Sequence, residues 1–244
     1  MFSSQDDRIF VVGFALCGHQ WSILVFDRGG SIVSSSFNIH QSPEDFLRCL
    51  LALSFGHDSL LGYDTSISPR TYSPHRVLKL ETPTFNMRMI IDGLLFHSDE
   101  VFGRGTTVHL CSKVGVEEDE YFVVKDSWVD TTREPSEAET LRILHDIPHV
   151  PRLIASANLE VVHPVSHQQV PDSTETTRDF LLQHNTNKWL AGCFDARVHN
   201  RLVTQPAGVE ICWFSSRWEF LSVLIDALTG ESENFLADLD CYVY

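Results

Sequence analysis

The residues of this 244-residue chain best suited to chemistry stand between Phe102 and Glu139. Phe102-Gly-Arg-Gly-Thr-Thr-Val-His-Leu110 places a glycine turn in β-prone sequence, and Phe122-Val-Val-Lys125 is an apolar run closing on one ammonium. Gly103 and Gly105 adopt backbone angles that a Cβ forbids, so a turn over Gly103, Arg104, Gly105 and Thr106 brings main-chain N–H groups close to an anion. Lys125 sits on a strand that delivers a single cation to one face. Lid and lysine together suit a polyphosphate. Glu137, on a helix packed against the sheet, can pair with Lys125 and set its direction, because Leu141 follows one turn later and buries beside it. Glu139 points elsewhere and is the second choice. Acids at a helix start otherwise complement the helix dipole.

The elements that position these groups follow from local sequence. The runs around the turn predict strand, glycine turn, strand, hairpin, strand. A helix is predicted from Glu134 to His145, with proline in its first turn and Leu141, Leu144 and Ile147 on one face. Upstream, Ile9 to Leu16, Trp21 to Phe26 and Ser31 to Ile39 predict a three-strand meander. Ser42-Pro-Glu-Asp then opens a helix whose face of Phe46, Leu47, Leu50, Leu51 and Leu53 packs on the meander; loss of the Ser42 cap costs about 1 kcal/mol. A partly ordered loop is expected from Gly56 to Pro83, with strands over Arg76 to Leu80 and Phe85 to Phe96. Pro151 to Ile154 and Leu159 to Val162 supply a further strand or hairpin, and His163 to Asn187 an exposed insertion. Arg201 to Thr204 is the strand that leads out. Ser216-Arg-Trp-Glu219 is a capping box that opens a helix carrying Phe220, Leu221, Leu224, Ile225 and Leu228, ended by Gly230.

The sequence resembles the fungal-type protein kinases. The matching words are Gly103-Arg-Gly-Thr-Thr-Val108, Val124-Lys-Asp-Ser-Trp128, Val150-Pro-Arg-Leu-Ile154 and Arg201-Leu-Val-Thr-Gln-Pro-Ala-Gly208. Ahead of them, Leu16-Cys-Gly18, Phe26-Asp-Arg-Gly29, Phe37-Asn-Ile-His40 and Gly62-Tyr-Asp-Thr65 are similar to the extension those proteins carry. The resemblance implies an α+β fold: a β-meander and helix extension over 1–98, a kinase-like small lobe and hinge over 99–214 with 163–187 as its insertion, and a truncated large lobe over 215–244. It implies ATP and Mg²⁺ as cofactors, with Lys125 and Glu137 in catalytic roles and Gly103, Arg104, Gly105, Thr106 and Lys125 on the phosphates. Val203 then stands at the gate of the adenine pocket, and Thr204 and Gln205 offer the hinge contacts, since Pro206 has no N–H. Phe235-Leu-Ala-Asp-Leu-Asp240 resembles the metal-binding strand, with Asp238 on magnesium.

One part of that pattern is missing. No H-R-D-x-x-x-x-N follows Val203, so no base is positioned for a substrate hydroxyl and no asparagine for a second magnesium. His97-Ser-Asp99 has the outline of that loop but precedes the lid. Thr107 and Val108 also stand where a third lid glycine and close backbone approach are wanted. The family transfers phosphate from ATP to protein Ser/Thr; this chain is expected to transfer it poorly or not at all.

Composition narrows the alternatives. Eighteen basic and 33 acidic side chains give a net charge of −15, which excludes a nucleic-acid backbone as the favoured partner. Six scattered cysteines without a C-x-x-C argue against disulfides and zinc. The N-terminal apolar run, broken by Gly13, is neither a signal peptide nor a membrane span, which leaves the cytoplasm or nucleus. Beside the kinase reading stands a non-catalytic module that binds nucleotide, or a protein partner through the 216–228 helix. A third possibility is an unrelated α+β interaction module built on the meander.

Overall fold

Valine, isoleucine and aromatic residues cluster in the first strands, and they pair as a meander. Strands β1 (Val11–Cys17) and β2 (Gln20–Asp27) are antiparallel through a two-residue turn; β3 (Gly30–Val33) and the short β4 (Phe37–Asn38) both pair with β2. The structure, a computed structural model, describes residues 5–68, 75–82, 85–115, 120–132, 135–162, 166, 168–182, 195–208 and 213–241.

Trp21 is the centre of the meander, its ring 5.6 Å from Phe14, 4.9 Å from Phe37 and 5.8 Å from Phe46 of helix α1 (Pro43–Phe55). Two expectations for α1 are corrected. Ser42 makes no side-chain cap, because its ψ of 62° lies outside the extended region that aims a cap oxygen at the first-turn amides. Phe46 packs on the meander, but Leu47, Leu51 and Phe55 face outward and no residue of α1 is buried.

The main sheet has six antiparallel strands in the order β5-β6-β7-β8-β12-β9. In chain order they are β5 (Arg76–Thr82), β6 (Phe85–His97), β7 (Thr107–Lys113), β8 (Tyr121–Val129), β9 (Arg152–Asn158) and β12 (Val198–Gln205). Between β8 and β9 lies α2 (Glu137–Ile143); between β9 and β12 lie the pair β10 (Glu160–Val162) and β11 (Gln169–Pro171) and helix α3 (Thr174–Leu182). The predicted strand, glycine turn, strand, hairpin and strand are β6, β7, β8 and their links. Because β5 and β6 belong to this sheet, a division at residue 98 would cut it between β6 and β7.

Burial alternates along the central strands, as it must when one face of a pleated strand lies on the core. Phe122, Val124, Asp126 and Trp128 of β8 are buried, as are Thr107, His109 and Cys111 of β7 and His199, Arg201 and Val203 of β12. Leu78, Leu80, Met89 and Ile67 complete the apolar centre of that face. Lys125 lies on the other face.

The exposed insertion expected over 163–187 is corrected in part. Asp172, Ser173, Thr174, Thr177 and Arg178 are buried, since the polar side chains find partners within the fold: Ser173 Oγ accepts from Thr176 N at 3.0 Å, and the Arg178 guanidinium donates to Asp27 at 3.0 Å. Residues 163–165, 167 and 183–187 lie outside the described residues.

Helix α4 (Arg217–Cys241) runs through Gly230 rather than ending there. One glycine costs about 1 kcal/mol within a helix, and the leucines, alanines and glutamates around it are strong helix formers. The segment Phe235–Asp240 is therefore helical, not a metal-binding strand. At its start Ser216 Oγ accepts from Glu219 N at 3.1 Å, while the Glu219 carboxylate accepts from Ser215, so the box closes one residue early. The coarse expectation stands: a mixed α/β chain with antiparallel sheets and few helices, compatible with a kinase-like small lobe. No helix among the described residues is long and apolar enough to cross a membrane.

Candidate functional site

The local chemistry of α2 separates its two glutamates. Ser136 caps the helix by accepting from Glu139 N at 3.2 Å, and Glu139 Oε2 accepts from Ser136 N at 2.7 Å. This capping box consumes Glu139. Ala138 buries against the rest of the fold, and Glu137 reaches β8. There Lys125 Nζ donates to Glu137 Oε1 at 2.6 Å and to Oε2 at 2.7 Å, with the two side chains 25% and 42% exposed. Arg104 adds a second cation, its Nη2 3.5 Å from Glu137 Oε2. Two positive groups on one carboxylate leave a local excess of positive charge on an accessible face.

The glycine turn is held over β8 by its backbone, with Trp128 N donating to the Arg104 carbonyl at 2.8 Å. Both of its glycines meet Arg28. Gly103 has φ 101° and donates its N–H to the Arg28 carbonyl at 2.9 Å. Gly105 has φ 47°, and a Cβ there would lie 2.3 Å from Arg28 Nε. The space that glycine frees is filled by the Arg28 guanidinium, which is buried and donates to the Glu100 carbonyl at 2.5 Å. Burial lowers Arg28 to about 10, with Glu100 opposing, so it stays cationic at neutral pH. At Gly105 the missing Cβ makes room for arginine.

Register decides the gate. Leu202 pairs with Lys125, Val203 with Val124 and Thr204 with Val123, so Leu202 and Thr204 share the face of Lys125 while Val203 looks into the core, fully buried. A gate at Val203 is thereby corrected. Thr204 is buried on the Lys125 face, and Gln205 is tied by its side chain to Glu120 at 2.8 Å and Arg152 at 3.4 Å, ahead of a cis bond to Pro206.

The opposite face carries a charge cluster that sequence reasoning missed. Arg201 Nε and Nη2 hold Asp126 Oδ1 and Oδ2 at 2.6 and 2.8 Å, Nη2 reaches Asp64 Oδ2 at 2.8 Å, and Nη1 reaches Ser66 Oγ at 2.7 Å. Beside it His199, stacked 5.0 Å from Trp128, shares a 2.7 Å hydrogen bond with Asp172. Asp6 bridges His109 at 2.9 Å and Arg76 at 2.7 Å. Burial would raise the Asp64 carboxyl, but the Arg201 charge outweighs it and holds it below the usual range. Burial also opposes a charged His199, yet the Asp172 hydrogen bond keeps its pKa raised. The signal for the cluster was present: Asp126 falls in step with Phe122, Val124 and Trp128, and Arg201 with His199 and Val203. Asp27, Asp64, Asp126 and Arg201 all lie within the words that carry the family resemblance.

A nucleotide fits one half of this arrangement. Lys125, oriented by Glu137 beside Arg104, is the residue that would hold its phosphates. The metal half does not fit. Asp238 stands in α4, and the one described group of three metal-type donors, Asp64, Asp126 and His199, surrounds Arg201, whose guanidinium already supplies the cation. A family model described as fungal protein kinase matches residues 1–237. No curated protein matches the chain, and no solved structure does.

Proposed function

Because the chain belongs to the fungal protein kinase family, we propose that these residues bind the polyphosphate of ATP at Lys125 and do not by themselves transfer it. The observation that carries this reading is the bidentate pair of Lys125 with Glu137, 2.6 and 2.7 Å. A strand lysine steered by a helix glutamate is the device that protein kinases use on the α and β phosphates. Arg104 adds charge at the same place. Thr204, on the face of Lys125, is the gate residue under this reading, and the hinge backbone from Thr204 to Gln205 meets the base.

Against transfer stand the lack, in the sequence after Val203, of a positioned base and of an asparagine for a second magnesium, and the helical setting of Asp238. Phosphoryl transfer rests on positioning and charge stabilisation, and both require those groups. The family's transfer to protein Ser/Thr is therefore not assigned to these residues. Thermal-shift titration with ATP, with and without magnesium, tests the binding half; a ligand at 100 times its Kd stabilises by about 2.7 kcal/mol. No shift at millimolar ATP removes it. Radiolabel incorporation into a generic protein substrate, lost in Lys125→Met, would overturn the second half.

A second reading has its own support. Trp218, Ile225 and Leu228 of α4 are 81%, 61% and 65% exposed, a face that suits a protein partner rather than water. Under it the chain acts by association, with or without nucleotide.

A further inference from the structure

A cavity of about 250 Å³ opens between the N-terminal segment and the β10–α3 region, and none of its lining residues belongs to the Lys125–Glu137 site. Its walls are mostly apolar, from Ile9, Phe10, Leu60, Val161 and Val162. One ionisable group on the wall is buried: Asp172, 2% exposed. Its Oδ2 is engaged by His199 Nδ1 at 2.7 Å, and no other hydrogen bond reaches its side chain among the described residues. One carboxylate oxygen is left to the cavity. That oxygen takes no donor from the described residues, so a ligand that supplies one in the apolar surroundings is favoured.

Charge decides what kind of donor. Asp172 is bonded to His199 with Asp64 and Arg201 close by, and Asp126 stands with Asp64 around His199, so this connected cluster holds three carboxylates against two cations even when the histidine is protonated. That floor is net negative. Of the other titratable groups on the wall, His57 is turned to Ser59 Oγ at 2.9 Å, and Tyr63 carries the Arg8 guanidinium over its ring at 3.5 Å. The volume is below the ~300–1,000 Å³ of sites for drug-sized ligands, so the occupant is small.

We propose that this cavity is a binding site for a small organic ammonium ion, an apolar body of one ring or a short alkyl chain whose N–H group meets Asp172. The apolar part lies against Ile9, Phe10 and Val161, and the ammonium balances the acidic floor. Nothing in this assignment depends on nucleotide binding at Lys125.

The test compares three molecules of like size on the intact chain, by calorimetric titration and thermal shift: 2-phenylethylamine, 2-phenylethanol and phenylacetate. The amine is expected to bind about tenfold or more tighter than the alcohol, since a charge-assisted bond to a buried carboxylate is roughly twice as strong as a neutral one. Phenylacetate is expected not to bind. Val161→Phe, which fills the cavity from β10, should abolish the amine shift while the cooperative melt persists; Leu60→Phe serves if that variant does not fold. Absence of an amine shift, equal affinity for amine and alcohol, or binding undiminished in a folded filled variant would each overturn the assignment.

Discussion

Asp126 and Arg201 stand directly opposite one another on adjacent strands, and the guanidinium holds both carboxylate oxygens, Nε to Oδ1 at 2.6 Å and Nη2 to Oδ2 at 2.8 Å. With Arg201 fully buried, removing either partner strands a charge in the interior. Arg201→Met should cost about 3–5 kcal/mol in urea unfolding. Arg201→Lys should recover little, since an ammonium cannot span Asp126, Asp64 and Ser66 with a planar fork. A loss below 1 kcal/mol in Arg201→Met would show that the cluster contributes little to stability.

The tie between Gly105 and Arg28 makes a second prediction. Gly105→Ala places a methyl where the guanidinium lies and forces a non-glycine residue to positive φ, so it should destabilise by about 1–3 kcal/mol. In Gly105→Ala with Arg28→Ala the steric part of that cost disappears. A double-mutant cycle should show coupling of about 0.5 kcal/mol or more. Strict additivity would mean that the two residues do not meet.

Lys125→Met should leave the fold nearly intact, because a partly exposed ion pair is worth about 0–1 kcal/mol. The same substitution should remove the ATP-induced thermal shift. Arg104→Ala should weaken that shift without removing it. An ATP shift unchanged in Lys125→Met would place the nucleotide elsewhere.

The buried pair of His199 and Asp172 sets a pH dependence with a defined sign. Burial disfavours charge on His199, but the Asp172 hydrogen bond prevails and the folded pKa lies above 6.5. A group raised in the fold stabilises fully below its unfolded pKa, and that contribution is lost as pH rises through the folded one. Asp172 is itself raised, by burial against the pull of His199, and its shift acts in the same direction. Asp64 and Asp6, held low despite burial by Arg201 and by His109 with Arg76, act oppositely: their share is lost only as pH falls through their folded values, below 3.8. Urea midpoints should therefore decline on the alkaline side of 6.5, and His199→Gln should flatten that decline.

Helix starts give a paired control. Ser136→Ala removes the side-chain half of a capping box, leaving the residue-136 N–H to the Glu139 carboxylate, and should cost about 1 kcal/mol in the same assay. Ser42→Ala should be nearly silent, because Ser42 makes no side-chain cap.

Part of this structure is legible in the sequence because local chemistry dictates it. The meander and the strands flanking the glycine turn follow from β-prone runs and turn residues, and the choice of Glu137 over Glu139 from the place of Leu141 one turn later on the helix. What is not legible depends on partners far along the chain. Arg28 reads as a turn residue until the 98–106 loop folds onto it, and Asp64 reads as a turn acid until Arg201 arrives from 137 positions away. The serines and threonines of 173–177 suggest an exposed loop because composition does not reveal that their hydroxyls will find backbone oxygens. Motif position points to Val203 as the gate, whereas the pleat places it a half-period from Lys125. Gly230 shows the weakness of a single punctuation residue against strong helix formers on both sides.

Strand β8 divides its labour between odd and even positions, with Lys125 turned to α2 and Asp126 locked inside. A saturation library along it would give a comb: steep loss of folding at every second tooth, and at the gaps between them variants that survive heat yet differ in what they hold. Selection for solubility and selection for ligand would thus draw on separate, interleaved sets of codons within one short stretch of the gene.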